Sequence, residues 1–270
     1  MAANEVERKR WNDEQAVLNW PKRERLTDRV TPYVIAALAP QAGEKVLDIG
    51  CGGGKLSLAA AERVRPGGKV LGADISEGMV AMAAGRAAEA KAKSVTFVAT
   101  DAQVDKIKGG PFDAAISQFG VMFFDEPVAA FANIRKHLKQ GGRLAFACWQ
   151  PAAANAWFVG AAMAPFITPP PPPAPGKSPT GPFSLGDPTR TRGVLTEAGF
   201  VDITRTARTL AVRVAEDTLA NAATLPFFGV PPAKLKAAQA AMDAHFAKFR
   251  QVTGLPRYEL KFQVFTARNP

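Results

Sequence analysis

Cysteine, histidine and long apolar runs are what this sequence has least of. Its 270 residues include two cysteines and two histidines. Cys51 and Cys148 fall at the ends of different candidate strands, which gives neither a disulfide framework nor zinc-ligand spacing. No stretch approaches the roughly 18 apolar residues that a membrane-crossing helix needs. The opening MAANEVERKRWNDEQ is charged and lacks the apolar segment of a secretory signal, so a cytoplasmic protein is expected. Acidic residues are in deficit: 24 Asp and Glu stand against 34 Lys and Arg, a formal charge of +10. Such a balance admits nucleic acid, an anionic surface or an acidic substrate. The positive residues are spread, however, and near the N-terminus they are laced with Glu5, Glu7, Asp13, Glu14, Glu24 and Asp28. That pattern reads as solvated helix faces, and no nucleic-acid partner is expected.

What is present is a hydrophobic share of 47%, enough for a sizeable core, and a regular alternation of segment types. Residues 4–38 read as two helices broken near Pro21. Strands are expected at 45–50, 69–73, 94–99, 112–117 and 143–149, with helices at 55–65, after Ser76, and at 127–139. Strands alternating with helices over about 100 residues indicate an α/β, doubly wound, mostly parallel sheet. Two later strands, 201–214 and 258–267, bring the expected number to seven. A proline-rich segment with the run 169–173, which suits polyproline II, precedes the first of these, and helices over 215–252, interrupted around 226–232, lie between the two. The expected organisation is an N-terminal helical cap (1–39), a core (40–149), a proline-rich insertion (150–187), a core continuation (188–214), a helical lid (215–256) and a final core strand (257–270).

The core is organised around residues 46–54, VLDIGCGGG, a buried strand running into a glycine-rich turn. A dinucleotide turn has the pattern G-x-G-x-x-G; here Lys55 stands where the third glycine belongs. Asp48, inside the strand and two residues before Gly50, would repel a phosphate and suits a cationic amino group. About twenty residues beyond the turn the second strand ends at Asp74, where a carboxylate can accept from ribose hydroxyls. The third ends at Asp101, where a carboxylate can take the exocyclic amine of a base. Three carboxylates at three strand ends point to an amino-acid-bearing nucleoside, and away from a nicotinamide dehydrogenase.

The segments VLDIGCGGG, GADISEGMV, TDAQ, FDAAISQFGVMFF and HLKQGGRLAFACW, spanning residues 45–149, together resemble the class I S-adenosylmethionine-dependent methyltransferases. The likeness is to the small-molecule branch similar to the ubiquinone and menaquinone biosynthesis enzymes, with a Rossmann-like fold. GPFSLGDPTRTRGVLTEAGF (181–200) looks like a segment found in related sequences. The resemblance implies S-adenosyl-L-methionine as cofactor and S-adenosyl-L-homocysteine as product. It implies that Gly50, Gly52 and the backbone around Cys51 cradle the methionine moiety, with Asp48 shaping the turn or reaching its amino group. Asp74 would hold the ribose, Ile75 and Met79 would flank the adenine, and Asp101 and Ala102 would contact its edge. Ser117 and Gln118 would lie beneath the sulfonium.

Methyl transfer from a sulfonium is an in-line displacement whose leaving group needs no acid, so alignment supplies most of the catalysis. A base serves only an acceptor that must lose a proton. His245, among Phe246 and Phe249, is a weak candidate; His137 reads as a surface residue. The Asp/Asn-Pro-Pro-Tyr motif that suits methylation of a base amine is missing after the fourth strand. Trp20, Phe119, Phe123, Phe227 and Phe228 are expected to line an apolar acceptor pocket. The expected function is methyl transfer to a small apolar or aromatic acceptor. An RNA or protein methyltransferase, or a non-catalytic cofactor-binding module, is the alternative.

Overall fold

A computed structural model describes residues 3–167, 180–215, 219, 225 and 229–270. The proline run 169–173, Phe227 and Phe228 lie outside the described residues. The helices are α1 (Glu5–Trp11), α2 (Glu14–Thr27), α3 (Thr31–Leu38), α4 (Lys55–Arg63), α5 (Glu77–Glu89), α6 (Pro127–Lys136), α7 (Gly160–Met163), α8 (Pro188–Glu197) and α9 (Leu235–Ala247). The strands are β1 (Lys45–Ile49), β2 (Lys69–Asp74), β3 (Val95–Ala99), β4 (Phe112–Gln118), β5 (Leu138–Trp149), β6 (Val201–Arg213) and β7 (Arg257–Arg268).

Among the described residues the strands form one seven-stranded sheet in the order β3-β2-β1-β4-β5-β7-β6. The first five are mutually parallel, and β7 runs antiparallel to both β5 and β6. This is the α/β, doubly wound arrangement that the sequence leads one to expect. β1 and β4 read as nearly continuous apolar runs because helices cover both faces, and Val46, Leu47, Ala114, Ala115 and Ile116 have no exposed surface. From β1 the chain winds first toward β2 and β3, then returns to β4 on the other side. The reversal opens a crevice at the C-terminal ends of β1 and β4, where open sheets of this kind bind ligands.

Two boundaries differ from the sequence expectation. Pro21 does not break a helix; it lies inside α2 on the exposed side, costing the one backbone bond its missing N–H would make. Residues 4–38 hold three helices rather than two, with breaks at the 3-10 turn Asp28–Val30 and at Asn12 and Asp13, where the Asp13 carboxylate caps α2 by accepting the Ala16 N–H at 3.1 Å. α6 stops at Lys136 rather than 139. The Phe112 N–H donates to the His137 carbonyl at 2.8 Å, and the Gly141 N–H donates to the Asn269 carbonyl at 2.9 Å. Those bonds draw 138–142 into the sheet, so β5 starts five residues early.

Candidate functional site

Glycine makes the turn after β1 possible by leaving room for backbone on both sides. Gly50, Gly52 and Gly54 all have positive φ, at 64°, 50° and 83°. A Cβ on Gly50 would stand 2.8 Å from Gly120 Cα, and one on Gly120 would stand 2.7 Å from the Ile49 carbonyl oxygen. The turns after β1 and β4 thus touch backbone to backbone at the reversal point. Gly120→Ala is expected to lower stability by about 2–4 kcal/mol, because neither main chain can yield without dragging a central strand. Urea unfolding measures it, and a loss under 0.5 kcal/mol would show that the contact is adjustable.

The turn is anchored on β2. Gly50 and Cys51 donate their N–H groups to the Ala73 carbonyl at 2.8 and 3.1 Å. The Gly52 N–H donates to Asp74 Oδ2 at 2.8 Å, and the Ser76 N–H to Asp74 Oδ1 at 2.9 Å. Each Asp74 oxygen keeps a further lone pair. Burial raises the Asp74 pKa, and the N–H bonds from Ser76, Gly52 and Ile75 hold it down. Asp48 is wholly buried, accepts the Ser57 hydroxyl at 2.5 Å on Oδ2, and has no hydrogen-bond partner on Oδ1. Burial pushes its carboxyl up to about 7, opposed by the Ser57 bond and reinforced by the Asp74 charge. Cys51 is buried and its thiol is raised far above the usual range, first by burial and then by Asp74 and Asp48. It is a packing residue with no thiolate to offer.

The remaining candidates lie on neighbouring strand ends. Met79 is buried in the first turn of α5, which Ser76 caps by accepting the Met79 N–H. The Ile75 carbonyl accepts from Asn12 Nδ2 at 3.2 Å. Asp101 accepts the Gln103 N–H and the Asn4 carboxamide, and burial raises it. Ala102 is buried and its carbonyl accepts from Asn133. Ser117 donates to the Ile49 carbonyl at 2.7 Å, tying β4 to β1. Gln118 accepts from Thr31 Oγ1 and donates to the Thr27 carbonyl, tying β4 to the N-terminal helices.

The aromatic candidates separate into two groups. Trp20 lies on the glycine turn, where a Cβ on Gly52 would come within 2.6 Å of its ring. Trp11 packs edge-on between Trp20 and Phe123, at 6.0 and 5.2 Å. Phe119 instead stacks on Trp149 at 4.0 Å, and Trp149 meets Trp157 at 5.0 Å. Phe119 holds φ 61°, a left-handed conformation that costs a bulky residue energy and recurs at functional sites. His137 is spoken for: its Nε2 accepts the Ile107 N–H and its Nδ1 donates to the Asn133 carbonyl. His245 packs on Phe246 and Phe249, its Nε2 unpartnered, its pKa lowered by burial and then by Lys248.

Sequence reading alone missed Glu24, Arg86, Asn4, Gly120 and Trp149. Glu24 is a buried hub: it accepts from Trp20 Nε1 and Arg86, and it pairs with Lys55. Arg86 in turn donates to the Gly53 carbonyl at 2.7 Å. Lys55, the residue in place of a third glycine, also pairs with Asp28. A glycine two residues past the end of β4 was the one legible sign among these.

The donor set fits a cationic nucleoside: carboxylates at three strand ends, a glycine-rich cradle, and a buried carboxylate oxygen without a partner. Residues 46–142 match a family model described as a methyltransferase domain. The matched segment runs from the start of β1 to the glycines inside β5. The chain is 37% identical over 107 residues to aklanonic acid methyltransferase DauC of Streptomyces sp. strain C5, covering 40% of this chain and 49% of that one. It is 38% identical over 104 residues to a demethylmenaquinone methyltransferase of Thermus thermophilus, covering 38% and 46%. The chain thus spans about half the length of these curated relatives. The fold of the YcgJ protein from Bacillus subtilis is similar over 89% of this chain and 98% of that one, with TM-score 0.61 and 17% identity. The segment that matches the methyltransferase-domain model contains the turn and all three carboxylates. No helix among the described residues is long and apolar enough to cross a membrane.

Proposed function

We propose that this chain transfers a methyl group from S-adenosylmethionine to a small, apolar or aromatic acceptor. The observation that carries this reading is the clamp at the sheet reversal: a glycine cradle at positive φ flanked by Asp48, Asp74 and Asp101. A chain of formal charge +10 concentrates carboxylates at this point, which suits a ligand with an ammonium and a sulfonium. The relatives' names, which specify small-molecule acceptors, support the acceptor class.

When bound, S-adenosylmethionine supplies a methyl on a sulfonium: the S–C electron pair goes to sulfur as the acceptor forms its new bond, leaving S-adenosylhomocysteine. The residues have to bind, orient and exclude water. Gly50, Cys51 and Gly52 would cradle the amino-acid end, beside the uncapped N-terminus of α4, whose positive dipole end suits a carboxylate. Asp74 would accept from the ribose, Ile75 and Met79 would flank the adenine, and Asp101 and Ala102 would meet its edge. Ser117 and Gln118, at the end of β4, would set the floor beneath the sulfur. Phe119, stacked on Trp149 and backed by Trp157, would wall the acceptor. Trp20, on Gly52, and Phe123, edge-on to Trp11, would complete the wall.

Transfer of labelled methyl from S-adenosylmethionine to a panel of phenolic and quinol acceptors tests the reading. No transfer to any of them, with cofactor binding intact, would favour a non-catalytic module. Alignment rather than proton transfer carries the rate in this reading. His245→Gln is therefore expected to lower kcat less than about tenfold, against the 10²–10⁴-fold of a lost general base. A loss beyond 10²-fold would make His245 the base.

A further inference from the structure

The N-terminal segment lies in the groove assigned above to adenosine. Asn4 is 2% exposed and starts α1 in a left-handed conformation, φ 52° and ψ 25°. Both ends of its carboxamide are engaged. Nδ2 donates to Asp101 Oδ1 and Oδ2 at 2.8 and 3.1 Å, and Oδ1 accepts the Asp125 N–H at 2.8 Å. Its own N–H donates to Asp125 Oδ2 at 3.0 Å. A donor beside an acceptor is the edge pattern of a carboxamide. It is equally the pattern of adenine, whose exocyclic amine donates next to a ring nitrogen that accepts.

The rest of the segment follows the same groove. The Arg8 guanidinium stands 3.6 Å from Asp101. The Trp11 carbonyl accepts the Ser76 hydroxyl at 2.7 Å, two residues past Asp74. Asn12 bridges the end of β2 to α5, donating to the Ile75 carbonyl and accepting the Glu77 N–H at 3.0 Å. Trp11 lies edge-on to Phe123. An adenosine lying across the ends of β2 and β3 would meet these contacts one after another.

We propose that Asn4 is a displaceable placeholder: its carboxamide fills the adenine seat formed by Asp101 and the Asp125 N–H, and residues 4–12 move out as the cofactor enters. The proposal rests on the cofactor reading given above and adds a regulated entry step to it. A site closed in most molecules raises the apparent dissociation constant by the inverse of the open fraction. Asn4 therefore sets cofactor affinity without touching the cofactor.

Calorimetric titration with S-adenosylhomocysteine tests this on the full chain. Asn4→Ala removes the carboxamide; Asn4→Gly does so while keeping the left-handed backbone at no steric cost. Loss of two to three hydrogen bonds that compete with the ligand is expected to tighten binding about tenfold in both variants. Stopped-flow association should quicken alongside. In the wild type, amide hydrogen exchange over 4–12 should accelerate on saturation with the ligand. Unchanged or weaker binding in both variants, or greater protection of 4–12 on saturation, would overturn the placeholder and make the segment a lid that contacts the cofactor. A wild type that fails to bind S-adenosylhomocysteine at all would overturn the cofactor reading and the placeholder with it.

Discussion

Asp74→Ala is expected to weaken S-adenosylhomocysteine binding by about 10²–10³-fold, the largest loss of any single substitution in the site. The carboxylate does two jobs. It accepts the Gly52 and Ser76 N–H groups, which fixes the turn against β2. Its remaining lone pairs face the ribose hydroxyls in the proposed complex. Alanine removes the ribose contact and leaves two backbone donors unpaired, one of them within the cradle. The fold should survive, because the α5 cap is the Ser76 hydroxyl and not Asp74. Asp74→Asn keeps one acceptor oxygen and should lose less. Calorimetry gives the affinities, and circular dichroism establishes that the sheet is retained. An affinity for Asp74→Ala within threefold of wild type would remove Asp74 from the ribose.

The second large effect is a pH dependence centred on Asp48. Its folded pKa is raised to about 7 from an ordinary value of 3.8, first by burial. Between these values the native chain holds a proton that the unfolded chain has released. Stability therefore falls as pH rises from about 4 to about 7, by up to about 4 kcal/mol for a complete shift. Above that window both states are ionised and the penalty is constant; below it both are protonated and it vanishes. Asp48→Asn, which keeps an oxygen for the Ser57 hydroxyl, should flatten the decline. Urea midpoints for both proteins at pH 4.5, 6 and 7.5 measure the difference. Parallel pH profiles would show that other groups dominate. A cationic cofactor favours the ionised carboxylate, so its affinity should rise over the same window and binding should release protons. Calorimetry in buffers of different ionisation enthalpy reads that release directly.

Much of the core is legible because its signals are local. The apolar run of 46–49, the Ser76 cap, Asp187 ahead of Pro188 and the glycine spacing each specify their element through neighbours a few residues away. Pro21 misleads because its cost is one lost bond on the solvent side, offset by the contacts its neighbours Trp20 and Glu24 make. The end of α6 misleads because 137–142 are claimed by Phe112 and Asn269, residues far away in sequence. Among site residues, Asp48, Asp74 and Asp101 are readable from spacing to strand ends. Glu24, Arg86 and Asn4 are not, because the bonds Glu24–Arg86, Arg86–Gly53 and Asn4–Asp101 span 33 to 97 positions and polar residues on helices look alike on the page.

The sequence by itself determined a doubly wound sheet, a glycine-rich turn at its centre and three acidic strand ends, because each follows from periodicity, glycine and spacing along one chain. Tertiary structure alone decided what lies on that turn. Gly50 meets Gly120 across the sheet reversal, Trp20 covers Gly52, and Asn4 sits on Asp101. These pairings arise when strands from distant parts of the chain are set side by side and the N-terminal helices fold back over their ends. Nothing local fixes them: an asparagine becomes a stand-in for a ligand only when folding brings it to the carboxylate that the ligand needs.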